Sequence, residues 1–248
     1  MEAQRSTSEP LLEAAHLDVC RAGDTRLVRV ADVQWRLEAG EYWVIGGAPN
    51  SGKTDLLQTV AGLQRPAGGS IRLFGRDIAN VPEPELLRQR TRVGFVFKGG
   101  GRIFADLTVA ENIALPLRYH RQLPPDEALQ TVHALLALTD LGDIGSEGPQ
   151  RLGGDACQRV GLARALALQP EILFLDEPLA GLGWGHRQWW LDFLQQLAQG
   201  IPFMDGRKTS VVATTNDFAP WSGRAARFAL VRDRRWEVLD PARELPNI

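Results

Sequence analysis

The stretch Gly47-Ala48-Pro49-Asn50-Ser51-Gly52-Lys53-Thr54 decides the fold of this chain. Its two framing glycines let backbone N–H groups turn toward phosphate oxygens without a clashing Cβ. The apolar run 42–45 before it predicts a buried strand, and residues 54–63 after it have the apolar spacing of a helix. Such a helix directs the positive end of its dipole at the same oxygens. The stretch therefore predicts a phosphate-binding loop rather than a chance Gly-rich turn.

An acidic pair supplies the second half of such a site. Asp176 and Glu177 follow the compact apolar strand predicted over residues 171–175. Lys53 is expected to reach the β- and γ-phosphates, while the Thr54 hydroxyl and Asp176 are expected to hold magnesium. Glu177 is the candidate general base for the attacking water. Taken alone, Asp176 is also compatible with a turn at a strand end, but with the loop present the pair predicts binding of ATP with Mg²⁺.

Composition excludes several classes of protein. Of 248 residues, 44% are hydrophobic and 23% charged, as in an ordinary soluble domain. The net charge of −2 argues against nucleic acid as a partner. Two cysteines are too few for a disulfide framework, and no run approaches the ~18 apolar residues of a membrane span. We therefore expect a soluble, cytoplasmic protein.

The chain divides into a short tail and one domain. Residues 1–12, rich in Ser, Glu and Arg, predict a flexible N-terminal tail, and residues 13–248 a single domain with a helical lobe at about 98–159. Alternating strand and helix patterns predict an α/β fold with a mostly parallel sheet. The predicted strands span 27–30, 33–37, 42–45, 70–74, 171–175 and 210–214, with a terminal hairpin over 228–239. The predicted helices span 54–63, about 125–138, 157–168 and 187–199.

Three further segments carry a resemblance to a known family. They read Leu-Thr-Val-Ala-Glu-Asn at 107–112, Gln-Arg-Val-Gly-Leu-Ala-Arg-Ala-Leu at 158–166 and Leu-Asp-Glu-Pro-Leu at 175–179. In this order after the phosphate loop, they resemble an ABC transporter ATP-binding subunit over residues 14–245. The resemblance implies a P-loop NTPase core, an antiparallel β lobe and a helical lobe. It also implies a head-to-tail dimer with a second ABC ATPase subunit, identical or different, and separate integral membrane subunits.

Two residues that should read the γ-phosphate depart from the family pattern. Lys98 stands where the family usually has Gln after the strand that follows the β lobe. A lysine there is a candidate γ-phosphate contact, but it cannot accept a bond from magnesium-bound water. The alternative is a solvated loop lysine. Asn216 replaces the family's switch histidine, so it can form hydrogen bonds with phosphate but cannot carry a proton.

The segment that should cap the partner's ATP departs as well. Residues 152–156 read Leu-Gly-Gly-Asp-Ala where the family has Leu-Ser-Gly-Gly-Gln. Gly153 lacks the serine hydroxyl, and Asp155 places a carboxylate where the phosphate should lie. Two like charges about 4 Å apart cost on the order of 4 kcal/mol near a protein surface. We predict that Asp155 caps its own helix, which would not remove that repulsion. Gly183 also replaces an expected acidic residue.

Aromatic residues are unusually placed. Residues 1–34 contain no Phe, Tyr or Trp that could stack on adenine. Arg21 is the candidate replacement because a guanidinium is planar, although an ordinary surface arginine is the favoured interpretation of this residue. Trp184, Trp189 and Trp190 are predicted to pack in the core beneath a helix.

The predicted function is that of an ATP-binding subunit, peripheral on the inner face of the cell membrane. The altered positions predict slow hydrolysis coupled to movement of a solute or lipid by separate membrane subunits. Residues 102–117 would dock a membrane subunit, although their apolar side chains are as compatible with packing of the lobe. The alternative is a non-catalytic regulatory or scaffolding module. An ABC-type protein acting on nucleic acid is disfavoured because the sequence lacks a basic stripe.

Overall fold

The computed structural model describes residues 9–22, 24–240 and 244–248, which form ten strands and six α-helices. The strands are β1 (Leu12–Arg21), β2 (Asp24–Leu37), β3 (Tyr42–Gly46), β4 (Gly68–Leu73), β5 (Arg76–Asp77), β6 (Val93–Val96), β7 (Ile172–Leu175), β8 (Ser210–Thr215), β9 (Arg227–Arg232) and β10 (Arg235–Leu239). The helices are α1 (Lys53–Val60), α2 (Glu83–Arg90), α3 (Val109–His120), α4 (Pro125–Leu138), α5 (Gly154–Leu166) and α6 (Trp184–Gln199).

The strands form one sheet with a parallel and an antiparallel part. Its order is β5-β4-β1-β2-β10-β9-β3-β8-β7-β6. Strands β9, β3, β8, β7 and β6 are mutually parallel, whereas β1 is antiparallel to both β2 and β4. The two parts meet where Arg235 of β10 pairs with Ala31 of β2. The predicted α/β class with an ATPase-type core and an antiparallel β lobe is confirmed.

Apolar residues on both faces explain why the parallel strands read as continuous hydrophobic runs. Along β3, Tyr42 and Val44 pack into a cluster shared with α3, α4, α5 and α6. Trp43 and Ile45 point the other way, into a cluster shared with α1 and the β lobe. All four side chains are at most 5% exposed. The parallel part of the sheet is thus buried between two layers. The carboxyl ends of its strands lie together at one edge of the sheet.

Helices α3, α4 and α5 pack together within and just beyond the predicted lobe. The segment 107–112 opens α3 because Thr108 and Glu111 form a capping box: the Glu111 N–H donates to Thr108 Oγ1 at 3.2 Å, and the Thr108 N–H donates to Glu111 Oε2 at 2.8 Å. The buried side chain of Asn112 fixes the preceding loop, since its Oδ1 accepts from the Phe104 N–H and its Nδ2 donates to the Phe104 carbonyl oxygen. Local hydrogen bonding therefore accounts for this segment.

The sequence predictions are wrong in two places near the N-terminus. Leu12, assigned to the tail, is fully buried and begins β1, where it pairs with Leu37 and Leu73. Residues 1–8 of the predicted tail lie outside the described residues. The two predicted strands at 27–30 and 33–37 form a single strand, β2, in which Asp32 has a φ of 51°.

Candidate functional site

The phosphate-binding loop lies between β3 and α1, as the sequence predicts. β3 ends at Gly46 and α1 begins at Lys53. A Cβ on Gly47 would lie 2.7 Å from the Val231 carbonyl oxygen. Gly52 has a φ of 105°, a conformation that side chains other than glycine rarely adopt. Both framing glycines are therefore required by the backbone.

Lys53 is held beneath the loop. Its side chain is 3% exposed, and Nζ donates to the carbonyl oxygens of Gly47 at 2.6 Å and Ala48 at 2.9 Å, and to Asn216 Oδ1 at 2.9 Å. Burial lowers the pKa of Lys53, although the carboxylates of Asp176 and Glu177 act in the opposite direction. The ammonium group is oriented by neutral acceptors that a phosphate oxygen can replace.

Thr54 and Asp176, the two predicted magnesium ligands, are in direct contact. The Thr54 hydroxyl lies 3.0 and 2.9 Å from the two carboxylate oxygens of Asp176. Thr214, at the end of β8, donates to Asp176 Oδ1 at 2.9 Å. Asp176 is 5% exposed, and this burial raises its pKa despite the hydroxyl donors. The ends of β7 and β8 and the start of α1, which are far apart in the sequence, thus place the oxygen atoms of Asp176, Thr214 and Thr54 next to one another.

Glu177, the candidate base, lies between two lysines. Its Oε2 is 2.6 Å from Lys98 Nζ and its Oε1 is 3.8 Å from Lys53 Nζ. Burial would raise the pKa of Glu177, but the bond from Lys98 and the charges of both lysines prevail and lower it. The same bond raises the pKa of Lys98. The two lysines therefore favour the ionised form of the Glu177 carboxylate. The backbone of Glu177 has a φ of 47°.

A cleft of about 680 Å³ lies over the loop. Most of the predicted site residues line it, but Gly47, Ala48 and Asp176 are not among its lining residues. Arg21, Lys98, Glu177 and Asn216 all line it. Lys98 is exposed, as the alternative of a solvated loop lysine expects, but its ammonium group is also paired with Glu177.

Sequence reasoning missed Arg29. It lines the same cleft, its guanidinium donates to the Asn50 carbonyl oxygen, and its Nε lies 3.9 Å from Asp55 Oδ2. Arg21, at the end of β1, lines this cleft as well, but its side chain is exposed whereas that of Arg29 is partly buried. Nothing in the local sequence distinguishes Arg29 from Arg26 or Arg36 of the same strand, so only the pairing of distant segments reveals it.

The segment 152–156 begins α5, but Asp155 does not cap that helix. The N-cap residue is Gly153, and no side chain caps the helix. Asp155 instead lies 3.0 Å from Arg159 Nε and 2.9 Å from His186 Nδ1. Arg159 also pairs with Asp140 at 2.9 Å. The predicted cap is wrong because a cation one helical turn ahead and a histidine on α6 engage the carboxylate.

The tryptophans divide between core and surface. Trp190 is fully buried. Trp189 stacks on Phe193 and lies under the guanidinium of Arg159, 3.9 Å from ring centroid to Cζ. Trp184 is 79% exposed, so its predicted place in the core is wrong. It begins α6 between two glycines, where no neighbouring element covers it.

Comparison with known proteins agrees with this geometry. Residues 30–180 match the protein family described as "ABC transporter". The chain belongs to the ABC transporter family. The resemblance seen in the sequence is thereby confirmed, and the family match includes the phosphate loop, the segment 107–112 and strand β7 with the Asp176-Glu177 pair that follows it.

Two relatives are ATP-binding proteins of importers. The spermidine/putrescine import ATP-binding protein PotA of Thermobifida fusca is 36% identical over 168 residues, which cover 68% of this chain and 42% of that protein. The methionine import ATP-binding protein MetN of Brucella abortus is 38% identical over 183 residues, which cover 73% and 48%. This ABC chain therefore spans about half the length of the curated relatives it matches.

Solved structures share the fold. A dimeric ABC cassette, MJ0796, in a post-hydrolysis state with ADP and phosphate, has a TM-score of 0.80 at 24% identity, covering 92% of this chain and 99% of that one. The cbiO1 protein of Clostridium perfringens, part of the cbiONQ complex, has a TM-score of 0.77 at 20% identity, covering 94% and 88%. Within the described ranges of this ABC chain, no helix combines the length and apolarity needed to cross a bilayer.

Proposed function

We propose that this chain binds MgATP and hydrolyses it slowly to drive the movement of a solute or lipid by separate membrane subunits. The observation that carries the proposal is the convergence of Lys53, Thr54, Asp176 and Glu177 on the phosphate loop. In hydrolysis, a water oxygen attacks the γ-phosphorus while Glu177 accepts the water's proton, and the bond to the leaving oxygen of ADP breaks.

The donors at the loop fit magnesium. Mg²⁺ prefers oxygen ligands and is commonly bound by one or two protein groups together with substrate phosphates and water. Thr54 and Asp176 supply such oxygens. Across the described residues, no group of three or more His, Cys, Asp or Glu side chains is arranged to hold a metal. Magnesium would therefore enter with ATP and neutralise charge on its phosphates.

Slow turnover is proposed from the residues that would act on the γ-phosphate. Gly153 offers no hydroxyl, and Asn216 cannot become cationic. The repulsion expected from Asp155 is weaker than its charge implies, because the Arg159 guanidinium lies 3.0 Å from it, although Arg159 also pairs with Asp140. This partial compensation would let a second subunit bring its ATP to this surface, but the interaction would lack the usual hydroxyl donor.

The proposed assembly is a dimer with a second ABC ATPase subunit, docked on membrane subunits at the cytoplasmic face. Support comes from the names of relatives, which are import ATP-binding proteins for methionine and for spermidine or putrescine. Further support comes from the dimeric state of a cassette with the same fold.

A second candidate function is a non-catalytic module that binds ATP to hold a complex together. One observation favours it: Glu177 is already occupied by Lys98 at 2.6 Å. The intact Glu177 carboxylate favours the catalytic proposal. Binding of MgATP without any turnover that depends on Glu177 would support the second candidate.

The decisive experiment compares steady-state phosphate release by the purified chain and by Glu177→Gln. Substitution removes the proton acceptor while preserving side-chain size, so we expect at least about 100-fold slower release. Binding of MgATP should persist in the variant, as measured by calorimetry. Equal rates in the two proteins would contradict the catalytic role of Glu177.

A further inference from the structure

The register of two strands brings Lys98 to Glu177. Strands β6 and β7 are parallel neighbours, and Val96 pairs with Leu175. The Asp176 N–H continues the ladder by donating to the Val96 carbonyl oxygen at 2.9 Å. Lys98 and Glu177 each lie two residues beyond that pair. The contact between them therefore follows from the rigid sheet rather than from a chance arrangement of surface side chains.

Three glycines follow Lys98, and they differ in how closely they pack. Gly100 is fixed against α5, whereas the space around Gly99 is open. Gly99, Gly100 and Gly101 have φ values of 69°, 85° and 71°. Gly100 packs so closely on α5 that a Cβ on Gly161 would lie 2.6 Å from the Gly100 carbonyl oxygen. Around Gly99, by contrast, the nearest 4 Å contain no neighbouring atom that a Cβ would meet. Lys98 can therefore move while the loop beyond it stays fixed to the helix.

Both oxygens of Glu177 face a cation. Lys98 lies at Oε2 and Lys53 at Oε1, and the Glu177 side chain is only 11% exposed. A general base must turn a free carboxylate oxygen toward the water it deprotonates. Lys98 has the freedom to leave because its own side chain is 61% exposed and lines the nucleotide cleft. The γ-phosphate in that cleft would be a stronger anionic partner than one carboxylate.

We propose that Lys98 is a positioning residue that holds Glu177 in an unproductive ion pair until the γ-phosphate of ATP draws the lysine away. The inference rests on the proposed function, in which Glu177 is the base. It assigns to Lys98 a restraint on hydrolysis rather than a direct catalytic contribution. The chemistry that releases the restraint is a terminal phosphate, so ADP should leave the pair intact.

The ion pair is tested first without reference to activity. Urea unfolding of the wild-type chain, Lys98→Met, Glu177→Gln and the double variant forms a double-mutant cycle. Without nucleotide, we expect a coupling of roughly fivefold in the unfolding equilibrium constant. Coupling should persist with ADP and weaken to roughly twofold with a non-hydrolysable ATP analogue. No coupling in the nucleotide-free chain, or equal coupling with both nucleotides, would overturn the proposal.

Turnover supplies the second test. Lys98→Met should raise kcat about twofold, the factor by which residual pairing still restrains Glu177 in the ATP-bound chain, with little change in KM. Methionine removes the cation without supplying the amide that the family usually has at this position. Lys98→Arg should keep the slow rate because it preserves the cation. The matched control is Lys208→Met, which removes an exposed lysine elsewhere and should match wild type. In the Glu177→Gln background, Lys98→Met should have no effect.

The outcomes separate the two proposals. If Glu177→Gln abolishes turnover but Lys98→Met leaves kcat unchanged or lowers it, the restraint is wrong and the catalytic role of Glu177 stands. If Glu177→Gln turns over like wild type, the proposed function fails. In that case the unfolding cycle still decides whether Lys98 and Glu177 form a pair that ATP breaks.

Discussion

Two regions of the nucleotide cleft handle charge differently. Around the phosphate loop, the Lys53 ammonium group donates to neutral oxygens of Gly47, Ala48 and Asn216, which a phosphate can replace, and the Glu177 carboxylate lies farther away at 3.8 Å. Around the proposed base, Glu177 pairs with Lys98 at 2.6 Å. The first region can accept an anion without breaking a close ion pair, whereas the second would have to break one before Glu177 could act. We therefore expect binding and hydrolysis to be separable in this chain.

The largest effect is expected from breaking the first region. Lys53→Ala removes a buried cation whose hydrogen bonds to phosphate would be charge-assisted, each worth about 1.5–3 kcal/mol. MgATP should bind about 100-fold more weakly by calorimetry, as one such bond of about 2.7 kcal/mol corresponds to that factor. Lys208→Ala should bind like wild type. Unchanged affinity in Lys53→Ala would show that the loop is not the phosphate site.

A smaller effect is expected from disturbing the contact between α5 and Gly100, which fixes the loop that follows Lys98. In Gly161→Ala, the added Cβ would meet the Gly100 carbonyl oxygen at 2.6 Å, so the backbone must shift. Overpacking of this kind costs about 1–3 kcal/mol in the free energy of unfolding. Urea denaturation measures it, and Gly154→Ala in the same helix is the control, because a Cβ there meets no atom within 4 Å. Equal stability of the two variants would contradict the close packing of the loop on α5.

The smallest effect is expected at the surface of α5. Asp155→Ala removes the partner of Arg159 and His186, but Arg159 keeps its pair with Asp140. The free energy of unfolding should fall by only about 1 kcal/mol, because the buried guanidinium of Arg159 keeps Asp140 as a partner. Asp140→Ala, which removes the other partner of Arg159, is the matched control. A loss of several kcal/mol in Asp155→Ala alone would mean that this carboxylate organises the segment more strongly than its contacts indicate.

Much of the fold could be predicted from the sequence because its signals are local. The phosphate loop, the apolar strand before it and the helix after it are contiguous, and backbone physics dictates their glycines. The strand before Asp176 reads as a buried run for the same reason that β3 does. Strand β1 was harder to recognise, since Leu12–Arg21 mixes buried Leu and Val with exposed His16 and has register shifts against β2.

The rest of the site depends on contacts between distant segments. The ion pair of Lys98 and Glu177 joins residues 79 positions apart through the register of β6 and β7. Arg29 reaches the phosphate loop only because β2 folds beside it. The pairing of Asp155 with His186 likewise needs α5 and α6 to meet. A sequence motif shows which residues depart from the family pattern, but it does not show which distant side chain each of them contacts.

The most direct test of this separation is to measure MgATP affinity and steady-state phosphate release on one preparation of the purified chain. We expect saturable binding together with a turnover below about 1 s⁻¹, the lower end of typical enzyme rates. Saturable binding accompanied by turnover well above that rate and abolished by Glu177→Gln would show that the altered positions do not slow hydrolysis.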